Sequence, residues 1–387
     1  MHRNVRVIAL SAITALAIFL SGAQEPLSAA PGETPSAAPT SFVANLHSDF
    51  AMFRGDLSRE PSVNLIGASI VSDKYPGGET AGRLTFWWFG WPSDARRNVL
   101  SRALAQLDYI DKVAAASADV TVIRTKDDLD AVKSRHSVGL LLWMEGADPL
   151  ADDPARVGLF YQRGVRAIML THLYNNALGG SGSPSIPLTD LYLGSEHGLT
   201  DKGRAVLAEM AKYGMVVDLA HASRQTFDDV LAVWPGPVIV SHTAMDAIYH
   251  SRRNLTDEQV RAIAQRNGII GVMAQTQFLG GERLSKLAEH IKHAADVAGA
   301  ERVALGLDIE DAVDTMPKDF RDTRDLPELA FLLRQDGLSD QQVLGILGQN
   351  AFRFFSTVLS KESPERRNRR IQTQVLRPKR DDNRDSG

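Results

Sequence analysis

Short apolar runs alternate along the chain with longer amphipathic stretches, which predicts alternating strands and helices. The predicted strands are 43–46, 84–89, 138–144, 165–170, 215–220, 238–240, 269–273 and 303–307. The predicted helices include 96–116, 127–135, 202–212, 223–233, 257–266 and 284–298. Eight apolar strands that alternate with helices indicate an α/β fold with a covered parallel sheet, a single large (β/α)8 TIM-like barrel. The region 56–83 fits no such step and is predicted to be a long surface loop.

Six of the predicted strands end in residues that can bind a metal ion or move a proton. These residues are His47 with Asp49, Glu145, His172, His221, His242 and Asp308. The carboxyl ends of barrel strands meet at one face, so the side chains are expected to converge there. Glu145 follows an apolar run, where an unpaired charge would cost several kcal/mol, so it requires a cation or a buried arginine as its partner. In contrast, His290 and His293 are predicted to be solvated on the helix 284–298.

The composition restricts the chemistry of such a site. The 387 residues carry a formal charge of −4, which gives no general attraction to nucleic acid, and they include no cysteine. A metal must therefore be bound by histidine and carboxylate, which suits Zn²⁺, with Mn²⁺ or Co²⁺ as substitutes. Two ions about 3.5–4 Å apart that share one carboxylate would hold a bridging hydroxide near neutral pH, so hydrolysis is the expected reaction.

The two ends of the chain differ from its middle. Residues 1–23 have the basic start, apolar centre and small residues of a cleaved export signal, and 24–41 form a linker rich in Pro, Ala and Ser. The barrel domain is predicted to span 42–360, and 361–387 form a charged, disordered tail. We expect an extracytoplasmic protein, periplasmic or secreted. The apolar run of the signal is too short to span a bilayer comfortably, so no stable membrane span should remain after cleavage.

Several motifs, in their order, resemble the membrane (renal) dipeptidase family of zinc hydrolases with (β/α)8 barrels. They are His47-Ser48-Asp49, Glu145-Gly146, Gly164 to Asn176 with Arg166 and Leu170-Thr171-His172, Asp218 to Ser223, Ser241-His242-Thr243, and Arg252-Arg253-Asn254. The resemblance runs from about Phe42 to Phe355. It implies a binuclear zinc dipeptidase whose substrates are dipeptides, with a homodimer as a candidate assembly.

The resemblance also implies a role for each matched residue. His47, Asp49 and Glu145 would hold one zinc ion, and Glu145, His221 and His242 the second, with Glu145 bridging. The roles implied outside the ligand set are an oxyanion contact for His172, binding of the substrate carboxylate for Arg253, and contact with the substrate amino group for Asp308. Glu145 or Asp308 would carry a proton to the leaving amine.

The chain departs from the family pattern at two places. The segment after the last strand reads Gly306-Leu307-Asp308-Ile309-Glu310-Asp311, and the glycine pair after the glutamate becomes Gly146-Ala147 followed by Asp148. Two alternatives therefore stay open beside the dipeptidase. One is a non-catalytic binding protein of the same fold, and the other is a hydrolase of a lactam, a lactone or another ester or amide.

Overall fold

Eight parallel strands close into a barrel in the computed structural model of the chain, which describes residues 41–75, 78–183, 197–309 and 315–362. The strands of the described residues are β1 Ala44–Ser48, β2 Leu65–Val71, β3 Val120–Val122, β4 Val138–Glu145, β5 Val165–Met169, β6 Val216–Asp218, β7 Val238–Thr243, β8 Ile269–Val272 and β9 Val303–Leu305. The order β2-β1-β9-β8-β7-β6-β5-β4 is closed by pairing of β2 with β4. The short β3 pairs only with the start of β4 and is additional to the barrel. The predicted (β/α)8 barrel is confirmed.

Helices follow most of the strands, as expected for this fold. In the described residues they are α1 Gly78–Trp88, α2 Val99–Ala115, α3 Lys126–Arg135, α4 Val157–Gln162, α5 Asp201–Tyr213, α6 Arg224–Val233, α7 Asp257–Gln265, α8 Thr276–Leu279, α9 Leu284–Ala298, α10 Leu326–Gln335, α11 Asp340–Leu344 and α12 Asn350–Val358. Side chains start several of them in the usual way: Thr200 and Thr256 accept the backbone N–H of Gly203 and Gln259. The six helices predicted from periodicity are confirmed to within a few residues.

Apolar side chains fill the interior of the barrel at the end opposite the strands' carboxyl ends. One core cluster takes alternate residues of the strands and adds side chains of α12. Trp143 of β4 lies in it, fully buried, with its ring centroid 5.5 Å from that of Phe355 and its indole N–H donating to Leu46 O over 2.7 Å. Gly67 of β2 leaves the space for this indole, since a Cβ there would lie 1.9 Å from Trp143 Nε1. The packed interior leaves the carboxyl ends of the strands for chemistry.

Two expectations about this region are wrong. Residues 84–89 are not a strand, because 78–88 form α1, in which Phe86 is buried and Leu84, Trp87 and Trp88 are more than half exposed. This spacing of exposed positions is helical. The region 56–83 is not one long loop, because it contains β2, whose seven residues are all buried. The eight barrel strands therefore include β2 in place of the predicted strand 84–89.

The predicted export signal, most of the linker and most of the charged tail lie outside the described residues. Glu310 and Asp311 of the segment after the last strand also lie outside them. Among the described residues, no helix has the length and apolar character needed to cross a bilayer.

Candidate metal centre

Five side chains from the ends of four strands converge at the carboxyl face of the barrel. His47, Asp49 and Glu145 place one ligand atom each within 4.8 Å of one another, and Glu145, His221 and His242 do the same. The carboxylate of Glu145 belongs to both groups and offers a different oxygen to each side. Its Oε2 lies 3.3 Å from His47 Nε2, and its Oε1 lies 3.4 Å from His221 Nε2. The structure thus brings together all five residues expected as metal ligands.

Irregular pairing at two strands turns the histidines toward this centre. The register of β1 shifts between Asn45 and Ser48, and that of β7 shifts between Val240 and Thr243. In a regular strand, successive side chains would go on alternating between the two faces of the sheet. A bulge interrupts this alternation and changes the direction in which a side chain points. The ring centroids of His47 and His242, one from each irregular strand, consequently lie only 3.7 Å apart.

The arrangement has the features of a site built for cations. The Nε2 atoms of His221 and His242 face each other at 2.9 Å, and only one of them can donate to the other. Both ring nitrogens of His47 and Oδ1 of Asp49 are buried without a hydrogen-bond partner among the described residues. Buried polar atoms are nearly always paired, so a metal ion is the partner that His47 Nε2 and Asp49 Oδ1 lack here. The donor set of imidazole and carboxylate suits zinc.

The electrostatics at this centre follow from burial and from the short distances. Burial lowers the pKa of His47, but the charges and hydrogen bonds of Glu145 and Asp49 together outweigh it and raise that pKa well above its usual value. Burial likewise raises the pKa of Glu145, yet the surrounding imidazoles hold it well below its usual range. His221 and His242 respond in the opposite way, because burial and the positive charge of Arg253 both lower their pKa values. Their neutral rings keep a lone pair for a ligand.

Hydrogen bonds from outside the cluster orient its members. Ser241 Oγ lies 2.9 Å from His242 Nδ1, which leaves Nε2 of that ring to face the centre. Ser69 Oγ donates to Glu145 Oε2 over 2.6 Å. Such outer partners set the tautomer and orientation of metal-binding side chains.

His172 lies beside the cluster and is not part of either group of three. Its Nε2 is 3.5 Å from Glu145 Oε1, and its Nδ1 is 2.6 Å from Asp73 Oδ2. Burial lowers the pKa of His172, but the charges of Asp73 and Glu145 outweigh that effect and raise the pKa to about 9. The ring is therefore positively charged near neutral pH at the edge of the site.

Arg253 and Asp308 also lie next to the centre. Arg253 is buried, donates from Nη2 to His242 O over 2.8 Å, and has no hydrogen-bond partner for Nε among the described residues. Asp308 Oδ1 lies 3.7 Å from His47 Nε2, and burial raises the pKa of Asp308 to about 7. Asp308 also forms a possible ligand group with His47 and His242. A cationic and an acidic side chain thus flank the cluster.

Two residues of the site were missed by the sequence analysis. Ser69 lies in β2 and Asp73 lies two residues after its end, in the region predicted to be a loop. An available signal was the run Leu65–Val71, which is apolar or small throughout and is followed at once by Ser72 and Asp73. That is the same pattern of a buried strand ending in a polar residue that identified the other site residues.

Comparison with known proteins gives a family match. The family model for membrane dipeptidase (peptidase family M19) matches residues 78–368, more than half of the 387-residue chain. The matched range includes Glu145, His221 and His242, whereas His47 and Asp49 precede it. Dipeptidase verJ of Clonostachys rogersoniana is 29% identical over 268 residues, which cover 68% of this chain and 67% of that protein. The chain spans about two thirds of the length of the curated relatives it matches.

Solved structures show the same fold. The crystal structure of the dipeptidase AC, a metallopeptidase of family M19, is similar with a TM-score of 0.69 at 22% identity, and the similarity covers 84% of this chain and all of that one. A metallopeptidase of Rhodobacter sphaeroides, crystallised with a phosphinate mimic of the dipeptide L-Ala-D-Ala, gives a TM-score of 0.69 at 23% identity. The similarity to the latter covers 82% of this chain and 99% of that chain.

Proposed function

Because the chain belongs to the membrane dipeptidase family, a family of metal-dependent hydrolases that act on peptide bonds, we propose that it is a binuclear zinc dipeptidase. The observation that supports this best is the Glu145 carboxylate, which offers one oxygen to His47 and the other to His221 at 3.3 and 3.4 Å. A carboxylate placed between two groups of imidazole ligands suits a pair of ions that share it.

The proposed ligands divide into two sets. His47, Asp49 and Glu145 hold one ion, and Glu145, His221 and His242 hold the other. Zinc ions bound there would lower the pKa of a water molecule to near neutrality and polarise the peptide carbonyl. Mn²⁺ or Co²⁺ could replace zinc at the same ligands.

The flanking side chains bind and orient the substrate in this proposal. Arg253 holds the free carboxylate of the dipeptide, since a planar guanidinium matches that group, and its Nε has no other partner among the described residues. Asp308 contacts the free amino group and carries the proton to the leaving amine. His172 donates to the oxygen that gains charge as the carbonyl is attacked. A site that binds both free termini selects dipeptides over longer peptides.

The proposed place of action is outside the cytoplasm, either periplasmic or secreted. This part of the proposal is supported by residues 1–23, with their basic start, apolar centre and small residues at the end. A homodimer is the proposed assembly, on the resemblance to the family alone.

Glu145→Gln tests the proposed function directly. The variant keeps the size of the side chain but removes the charge shared by the two ligand sets. Loss of a hydrogen-bond partner of a metal ligand lowers activity by up to roughly 100-fold, and loss of the ligand's own charge should lower dipeptide hydrolysis by more than that. The zinc content should also drop below that of the wild type. Turnover of a dipeptide panel and elemental analysis measure these effects, with a cyclic amide and a lactone as further substrates.

Glu289→Gln is the matched control, because Glu289 lies on the surface and pairs with Lys286. It should keep both activity and metal. If Glu145→Gln retains hydrolysis with full zinc content, Glu145 does not bridge two ions.

A further inference from the structure

A buried carboxylate lies against the outer edge of His172. Asp73 Oδ2 is 2.6 Å from His172 Nδ1, and the two side chains are 3% and 10% exposed. A distance this short between a carboxylate and a ring nitrogen is typical of a charge-assisted hydrogen bond. Since an ionised carboxylate only accepts, the proton of this bond belongs to Nδ1 of the ring.

The backbone after β2 holds Asp73 in place. Val71, the last residue of β2, pairs with Glu145, and Ser72 N donates to Glu145 O over 2.9 Å. The Ser72 hydroxyl donates to the carbonyl of Gly146. The end of β2 is thus tied to the end of β4, so the position of Asp73 is set relative to the proposed bridging ligand.

Gly146 leaves the space that the Asp73–His172 pair occupies. A Cβ at Gly146 would lie 2.5 Å from Asp73 Oδ1 and 3.2 Å from His172 Cβ. Its φ of +73° is also one that glycine adopts readily. The residue after Glu145 therefore allows both partners to approach the backbone closely.

The inner edge of the His172 ring faces the candidate metal centre. Nε2 lies 3.5 Å from Glu145 Oε1, and the ring stands nearly perpendicular to that of His221 at 82°. With Nδ1 engaged by Asp73, the ring cannot turn over without breaking a buried hydrogen bond. Carboxylates play this orienting part for functional histidines in many enzymes.

We propose that Asp73 is a positioning residue for His172, an inference that rests on the proposed function for the step His172 serves. Asp73 accepts the Nδ1–H and so keeps Nε2 directed at the reacting carbonyl oxygen. It acts through His172 and does not itself contact the dipeptide.

The first test reads the ring directly. In zinc-loaded protein with ¹⁵N-labelled histidine, the His172 resonances are assigned by their loss in His172→Gln. Asp73→Asn should shift them, because an amide can donate as well as accept and no longer requires the proton on Nδ1. Asp296→Asn is the control, since Asp296 is an exposed carboxylate that pairs with Lys292 on α9, and it should leave them unchanged. Unshifted resonances in Asp73→Asn would overturn the proposal.

The second test is a double-mutant cycle. Asp73→Asn should lower kcat for a dipeptide by about 10–100-fold while zinc content stays at the wild-type value and KM changes by less than about threefold. In a His172→Gln background the same change should lower kcat by no more than about twofold, because the residue it positions is gone. An equal loss in both backgrounds would show a general structural role and overturn the proposal.

The two tests separate this proposal from the proposed function. If the wild type cleaves no dipeptide, the dipeptidase proposal fails, and the ¹⁵N comparison alone decides whether Asp73 holds the ring. Asp73→Ser, which is smaller and also lacks the carboxylate, replaces Asp73→Asn in both tests if the asparagine variant does not fold.

Discussion

Two residues of the candidate site adopt a left-handed backbone conformation that residues other than glycine rarely adopt. His221 and Asp308 have φ values of +61° and +60°. Such a conformation costs on the order of 1–3 kcal/mol and persists only where the surroundings enforce it. At His221 the backbone carbonyl accepts from Gly182 N over 2.8 Å, and at Asp308 it accepts from the side chain of Gln275 over 2.7 Å. The surrounding fold thus holds these two residues in an unfavourable backbone conformation, which directs their side chains into the site.

The serine beside the shared carboxylate gives a prediction at the scale of one atom. Ser69→Ala removes the donor to Glu145 Oε2, so that oxygen becomes freer to move away from its proposed ion. Zinc affinity should fall by about 10–100-fold, as for other outer partners of metal ligands. Competition with a chromogenic chelator measures the change.

Ser134→Ala serves as the matched control, because Ser134 is exposed and its hydroxyl donates only to Ala131 O among the described residues. It should bind zinc as the wild type does. Equal affinity in Ser69→Ala and the wild type would mean that the hydrogen bond to Glu145 does not support metal binding.

At the scale of elements, strands of mostly large apolar residues were predictable, and a strand with three small residues at its centre was not. β4 to β9 stand out in sequence as runs of Val, Ile, Leu and Met, since parallel strands are buried on both faces. β2 contains the small residues Gly67, Ala68 and Ser69 at its centre, and a Cβ at Gly67 would collide with Trp143 and Leu46. This composition reads as a loop until the neighbouring indole is known. The Phe-Trp-Trp-Phe run at 86–89 was misread for the converse reason, because its two tryptophans are exposed on a helix.

The candidate site followed the same division. The residues expected as ligands were identifiable because each follows an apolar run, and barrel topology brings the ends of such runs together. Asp73 and Ser69 were not identified, because β2 was not recognised as a strand. The pairing of Asp73 with His172 also joins residues 99 positions apart, a contact that a single sequence does not reveal.

A buried histidine links α9 to the rest of the barrel and corrects the expectation that it is solvated. His290 is fully buried, its Nδ1 accepts from Met245 N over 2.9 Å, and its Nε2 donates to Leu279 O over 3.2 Å. Burial lowers the pKa of His290 to about 4. His293 on the same helix is partly buried and lies 2.7 Å from Asp257.

The buried ring predicts a dependence of stability on pH. An unfolded histidine binds a proton near pH 6.5, whereas His290 in the folded state does so near pH 4. The contribution of the neutral ring to the free energy of unfolding is therefore complete above about pH 6.5. It is lost as the pH falls toward 4, by up to about 3 kcal/mol. His290→Gln should be less stable at pH 8 but should lose less stability between pH 6.5 and 4, as measured by urea unfolding.

Leu287→Ala separates this effect from a simple loss of packing. Leu287 is fully buried in α9, so its truncation should cost about 2–5 kcal/mol at every pH and leave the wild-type slope. If His290→Gln shows the same slope as the wild type, the ring does not titrate in this way.

For the whole molecule, the proposed metal ions would connect strands that are distant in sequence. The five proposed ligands come from the ends of β1, β4, β6 and β7, so binding of ions by all five would require the closed barrel. At a free zinc concentration of 100 times the Kd, zinc binding would stabilise the folded state by about 2.7 kcal/mol, provided that the unfolded chain does not bind zinc. EDTA should therefore lower Tm by several degrees, and added zinc should restore it, in scanning calorimetry.

The same scan of Glu145→Gln provides the control. Without the shared carboxylate, EDTA should change its Tm much less than that of the wild type. A wild-type Tm that is indifferent to EDTA and to zinc would show that no stably bound ion joins these strands.

The exposed face of α1 also provides an optical reporter. Of the five tryptophans, Trp87 and Trp88 are 58% and 54% exposed, whereas Trp91, Trp143 and Trp234 are buried. Iodide in solution can therefore quench the fluorescence of Trp87 and Trp88, whereas the three buried tryptophans continue to emit. The quenchable fraction therefore reports on the exposed face of α1 without any added label.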